Sequence, residues 1–167
     1  QGLGGRIPER KASLNVRSAG TAARFLTVML ALAGGEYELD ASPQMCKRPM
    51  QPLLDILKAA GAVLVYRGEE GHFPFFMRSE KLSMSEVSVD TKVSSQFASA
   101  LLMSGVLLEK GLRVRMSGQR AEGAYIKMTI AMMRQFGIKV KQEEGEWMVP
   151  HDCRFGLTEY QVEPDVS

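Results

Sequence analysis

Only two cysteines occur in the 167 residues, Cys46 and Cys153, and only two histidines, His72 and His151, with no CxxC pair and no ligand spacing between them. A disulfide framework and a structural zinc site are thereby excluded, and neither a metal nor another cofactor is expected. Long apolar runs are missing too. The longest one free of charge, Phe25 to Gly35, falls short of the about 20 residues that a spanning helix needs, and Arg24 bounds it. Charge of one sign is equally scarce. The formal net charge is +2, and no Lys/Arg run is interleaved with aromatics, so general nucleic-acid binding lacks its electrostatic footprint. No histidine stands beside a nucleophile and no close carboxylate pair appears in the loops, which leaves acid–base chemistry without its usual groups. Gln1 stands where a starting methionine is expected and no targeting segment is visible, so the expectation is a reduced, cytoplasmic protein of which this chain is an excised piece.

What is present is a chain 45% hydrophobic and 24% charged, enough for one good core or two small ones. The organising stretch is VRSAGTAARFLTVMLALAGG, Val16 to Gly35. Phe25, Val28, Met29 and Leu32 form one helical stripe, with Leu26, Leu30 and Ala33 beside it, and little of that helix can face water. Ser18 is expected to cap it, and Gly20 to let a ligand approach the backbone where the first N–H groups point outward with partial positive charge. Arg24 sits in the first turn against the helix dipole. It is paired either with a structural carboxylate or with an arriving anion.

The chain reads as one unit written twice. Leu14 and Val16 suggest a short strand, and Tyr37 and Leu39 a second. SPQMCKRP reads as a loop, Pro49 as the first turn of a helix carrying Met50, Leu53, Leu54 and Leu57, and 62–66 and 73–77 as strands flanking EEGH. Ser18 and Ser94, Gly35 and Gly111, and Gly61 and Gly137 are each 76 positions apart. At the same offset Met50, Leu53, Leu54 and Leu57 match Ile126, Thr129, Ile130 and Met133. Glu69-Glu70-Gly71 before Phe73 is read with Glu143-Glu144-Gly145 before Trp147, and Ser85-Glu86 with Thr158-Glu159. Such a pattern predicts an α+β (mixed α/β) fold of two tandem βαβαββ units, with the apolar helices buried and the sheets outside.

Residues able to hold an anion gather at helix entrances. Lys92-Val93-Ser94-Ser95-Gln96 opens the helix through Phe97 and Leu101, where hydroxyls and an amide adjoin free N–H groups; a plain serine cap is the simpler account. Lys47 and Arg48 precede the second helix, where a cation is out of place unless an anion arrives, and Arg48 can bind one bidentately. Tyr125 takes the corresponding place in the second copy. All should lie at one end of the molecule.

Taken together, Ser18-Ala19-Gly20-Thr21-Ala22-Ala23-Arg24, Arg48-Pro49 before a helix ending at Gly61-Ala62, Val93-Ser94-Ser95-Gln96 with Ser99-Ala100-Leu101-Leu102, Tyr125-Ile126 and Phe136-Gly137 resemble the 5-enolpyruvylshikimate-3-phosphate synthase family over nearly the whole chain. The resemblance implies transfer of the enolpyruvyl group of phosphoenolpyruvate to the 5-hydroxyl of shikimate 3-phosphate, by addition and elimination, in two domains of three such units each. It implies that residues 1–167 are a partial substrate-binding domain, with units at 13–84 and 85–157 and a third begun at 158–167. The partners implied are the two substrates and a second domain of the same chain, with no nucleic acid and no membrane. Position by position, Gly20 and Arg48 would contact phosphoenolpyruvate, Ser94 and Ser95 would bind the shikimate phosphate, Gln96 would lie between the substrates and Tyr125 along the shikimate ring. Ser18, Thr21, Arg24 and Lys47 are further candidates. No catalytic residue falls in this piece, so no turnover is expected from it alone.

Three positions depart from the family pattern: Ser18 where asparagine is usual, Ala124 where proline is usual, and Glu122 where a phosphate-binding serine is expected. Two other readings remain. One is a UDP-N-acetylglucosamine enolpyruvyl transferase-like protein, whose loop cysteine Cys46 approximates at a shorter spacing. The other is a non-catalytic anion- or RNA-binding module of similar fold.

Overall fold

A computed structural model describes residues 7–80, 82–90, 94–117, 123–143, 145–156 and 159–162. In the first half, β1 (Lys11–Asn15) leads to α1 (Gly20–Ala33), β2 (Gly35–Asp40), the short α2 (Pro43–Cys46), α3 (Gln51–Ala59), β3 (Val63–Tyr66) and β4 (Phe75–Ser79). The second half runs β5 (Glu86–Asp90), α4 (Ser95–Ser104), a 3₁₀ turn at Gly105–Leu107, β6 (Leu112–Ser117), α5 (Ala124–Gln135), β7 (Lys141–Glu143) and β8 (Glu146–Val149).

Each half closes its own four-stranded sheet, and the two sheets share one topology: β1-β2-β4-β3 and β5-β6-β8-β7. The first pair of each is parallel, which demands a crossover, and α1 and α4 supply it. The other pairs are antiparallel. Along β5 the alternation is plain, with Val87 and Val89 buried and Glu86, Ser88 and Asp90 exposed. Outer faces carry ion pairs such as Lys11–Glu36 and Arg115–Glu86. The inner faces meet the helices. α1 packs on α4 and α4 on α5, so the helices fill the centre and the sheets lie outside them, as the apolar stripes require. Ala23, Val28, Leu53, Leu54, Leu57, Phe97, Leu101, Leu102 and Ile126 are at or near complete burial. Phe25, Leu26 and Met29 of α1 are only half-buried.

Several expectations need correction. Ser18 does not cap α1. Arg17 adopts a left-handed backbone with φ 50°, its N–H donates to Asn15 Oδ1, and its carbonyl accepts from the Ser42 N–H. That turn carries the Ser18 hydroxyl to the hydroxyl of Ser42, 2.8 Å away, and leaves Ala19 at the helix entrance with no side-chain cap. The supposed loop at SPQMCKRP contains α2, which Ser42 caps by accepting from the Met45 N–H and which Pro43 opens. Lys47 and Arg48 therefore follow a helical turn and still precede α3, which starts at Gln51. α3 begins at Gln51, with Pro52 in its first turn, because the Met50 N–H is taken by the Gly71 carbonyl. Finally, the EEG segments do not correspond. Tyr37 and Val114 take the same place opposite the first strand of each sheet and pair across to Met77 and Trp147, so Met77 is the counterpart of Trp147, and the connection 67–74 is long where only 144 and 145 separate β7 from β8. The expected opening of a third unit falls largely outside the described residues; 159–162 form no strand or helix.

Candidate anion-binding site

The site is built from the entrances of α1 and α4, which lie side by side because the two helices pack along the same core. Gly20 is the first residue of α1. One turn later, Arg24 curls back and donates through Nη1 to the Gly20 carbonyl at 2.8 Å, while its guanidinium lies over the Phe97 ring of α4, 5.5 Å from the centroid. Arg24 is only 7% exposed, and its Nε is buried without a hydrogen-bond partner among the described residues. Burial lowers the proton affinity of the guanidinium, Arg48 lowers it further, and Tyr125 opposes both. An arginine nonetheless stays charged.

What surrounds Gly20 explains the absence of a side chain. A methyl group there would lie 2.8 Å from Arg24 Nη1, 3.0 Å from Arg48 Nη1 and 3.9 Å from Gln96 Oε1. The backbone at Gly20 has no positive φ. The constraint at Gly20 is one of space rather than conformation, and the atoms a methyl group would displace are the tips of two arginine side chains. Four sequence-predicted residues, Gly20, Arg24, Arg48 and Gln96, thus meet around one point, although they come from both halves of the chain. Thr21 joins them, since Gln96 Nε2 donates to Thr21 Oγ1 at 3.1 Å.

On α4, Ser94 is a true cap, accepting from the Gln96 N–H at 3.2 Å, and Ser95 follows half-buried. Tyr125 enters α5, half-buried, near enough to Arg24 to raise its proton affinity. Its carbonyl accepts from Thr129 Oγ1 at 3.0 Å, and Thr129 shares a buried 2.8 Å hydrogen bond with Ser99 of α4. The entrances of α4 and α5 are thereby tied together. Ser18, turned to Ser42, and Lys47, exposed at the end of α2, have no hydrogen bond or ion pair to the cluster among the described residues. Lys92, Val93 and Glu122 lie outside the described residues.

Sequence reasoning missed the Phe97 platform and the Ser99–Thr129 pair. A signal existed for the second: Thr129 is the one hydroxyl in the stripe that elsewhere repeats as Leu, Ile or Met. Chemically, the cluster is cationic and rich in donors. Among the described residues no carboxylate forms an ion pair with Arg24, Lys47 or Arg48, and no group of three His, Cys, Asp or Glu comes together. Cys46 is half-buried, its thiol donating to the Ala41 carbonyl at 3.6 Å; burial and Asp40 push its pKa up, away from the reactive thiolate. No helix among the described residues is long and apolar enough to cross a membrane.

Comparison with known proteins agrees with this picture. The family model for EPSP synthase (3-phosphoshikimate 1-carboxyvinyltransferase) matches residues 1–167. The 3-phosphoshikimate 1-carboxyvinyltransferase of Nostoc sp. is 34% identical over 167 residues, and that of Neisseria meningitidis serogroup B is 39% identical over 170 residues. Each alignment covers 99% of this chain and 39% of the relative, so the chain spans about two fifths of the length of the curated relatives it matches. An EPSP synthase structure from Acinetobacter baumannii superimposes with a TM-score of 0.69 at 24% identity, over 86% of this chain and 31% of that one, which is a likeness of fold.

Proposed function

The chain belongs to the EPSP synthase (3-phosphoshikimate 1-carboxyvinyltransferase) family, and from that premise we propose that it supplies part of the substrate-binding surface for enolpyruvyl transfer from phosphoenolpyruvate to the 5-hydroxyl of shikimate 3-phosphate. In this reading Arg48 holds an anionic group of phosphoenolpyruvate over Gly20, and the missing side chain at Gly20 lets that group reach the N–H groups opening α1. Ser94 and Ser95, at the entrance of α4, hold the phosphate of shikimate 3-phosphate. Gln96 stands between the two sites, and Tyr125 lies along the shikimate ring. The groups that move protons belong to a second domain on the remainder of the protein, in keeping with the side chains gathered around Gly20, Arg24, Arg48 and Gln96, none of which is a histidine or a carboxylate. Units at 13–84 and 85–157, with a third beginning at 158–167, and a cytoplasmic setting complete the proposal.

The single observation that carries it is the meeting of Gly20, Arg24, Arg48 and Gln96 at the entrance of α1, with no carboxylate ion-paired to either arginine among the described residues. Titrating shikimate 3-phosphate into the chain while following amide resonances tests it. Weak, saturable shifts at Ser94, Ser95, Gln96 and Tyr125 are expected. Shifts only elsewhere, or none at high ligand, would sink the assignment. A shallow salt dependence distinguishes one small dianion from an RNA surface, whose affinity falls steeply with salt.

A further inference from the structure

Arg24 is the most unusual side chain in the molecule, and ligand contact does not account for it. Its Nη1 is spent on the Gly20 carbonyl, its plane rests on Phe97, and its Nε faces no partner among the described residues. A cation that is 93% removed from water and has no carboxylate paired with it among the described residues is costly unless something negative arrives. Arg48 makes matters worse: both guanidiniums flank the space above Gly20, 2.8 and 3.0 Å from where a Cβ would be. Among the described residues, relief inside the fold comes from the Gly20 carbonyl and the aromatic face of Phe97.

We propose that Arg24 is a positioning residue that leaves the empty site carrying an uncompensated buried charge, so that filling the site with a multivalent anion stabilises the fold. Arg24 acts through its neighbours. By holding the Gly20 carbonyl it fixes the α1 entrance, and by like-charge repulsion it keeps the Arg48 guanidinium turned toward the ligand side. The inference rests on the reading that Gly20 and Arg48 receive an anion, and adds that this anion and the folding equilibrium are thermodynamically linked.

The probe is inorganic phosphate, read by thermal unfolding of the chain in phosphate against sodium chloride at matched ionic strength. For the unaltered chain Tm should climb with phosphate and saturate, well beyond the effect of chloride. Arg24→Met keeps the length of the side chain over Phe97 and removes the charge. It should raise the anion-free Tm, weaken the phosphate response and raise the phosphate Kd by more than tenfold, because a charge a few ångströms away at an effective dielectric near 20 contributes more than that factor. Arg24→Lys, which restores the charge, should restore the low anion-free Tm and most of the phosphate response. A purely structural arginine would behave otherwise: Arg24→Met would lower the anion-free Tm, or fail to fold, with Kd for phosphate unmoved where measurable, and any of these overturns the proposal. Arg48→Gln separates the two readings. If it leaves the phosphate response intact, the anion is not held at Arg48 and the underlying reading fails. If it abolishes the response while Arg24→Met does not, only the role given to Arg24 fails.

Discussion

The two halves of this chain build the same sheet, yet they equip it differently. At the 76-residue offset, Arg24 of the first half corresponds to Ala100 of the second, Gly20 to Gln96, Ala23 to Ser99 and Leu53 to Thr129. The first half puts its charge at the entrance of its crossover helix and keeps an apolar pair behind it. The second opens its helix with the uncharged Ser94, Ser95 and Gln96 and places a hydroxyl pair in the core. Duplicating a fold copies its strands, helix stripes and glycine stops; it does not copy the side chains facing a ligand. Two like halves packed through α1 and α4 therefore present unlike groups to one shared space, and a cleft with unlike walls can receive two different anions.

The difference can be broken by swapping residues between halves. Leu53→Thr imports the second half's hydroxyl into the first, where Ala23 stands at the position matching Ser99. The loss of a fully buried leucine should cost about 3 kcal/mol, read by denaturant unfolding. The reverse swap costs less. Thr129→Val strands the buried Ser99 hydroxyl and should cost about 2 kcal/mol, whereas Ser99→Ala leaves Thr129 still donating to the Tyr125 carbonyl and should cost about 1 kcal/mol. The double variant reproduces the apolar arrangement of the first half, and its cost should fall clearly below the sum; additivity would show that the pair is not coupled. Arg48→Lys sharpens the comparison from the ligand side. Losing the planar fork should weaken phosphate binding about tenfold while Ser94→Ala weakens shikimate 3-phosphate binding instead, and equal damage to both ligands would erase the assignment of one anion to each half.

The smallest expected effect concerns the outer faces. In the second sheet, hydrogen bonding from Arg115, with Arg113 nearby, holds the Glu146 carboxyl below its usual range. Its folded-state pKa lies below the unfolded one, so its contribution is present above the ordinary glutamate range and disappears as pH falls toward the folded value. Glu146→Gln should flatten the upper part of the acid limb of the Tm profile slightly. Glu146 is partly open to solvent, and an unchanged limb would mean that screening removes the contribution altogether.

The legible part of the molecule was the periodic part. Leu53, Leu54 and Leu57 declared the buried face of α3, and the glycine stops at Gly34, Gly61, Gly111 and Gly137 all take positive φ where elements end or begin. Non-periodic features misled. The Ser18 cap and the loop at Pro43–Cys46 were misread because Arg17 takes a left-handed conformation that sequence spacing does not signal, and because Ser42-Pro43, a sound helix start, opens only a single turn. Matching EEG triplets suggest equal hairpins, but cross-strand register follows burial of Met77 and Trp147 rather than the acidic letters.

By itself, the order of the amino acids determined the duplicated unit, the buried helices and outward sheets, and which residue types could meet an anion, because these depend on local periodicity and on glycine and proline stereochemistry. Only the tertiary structure decided that Arg24 and Arg48 would stand together over Gly20 beside Gln96 of the other half. That meeting depends on how two helices pack across more than seventy residues of intervening chain, and the balance between a buried charge and the aromatic face beneath it exists nowhere in the local sequence.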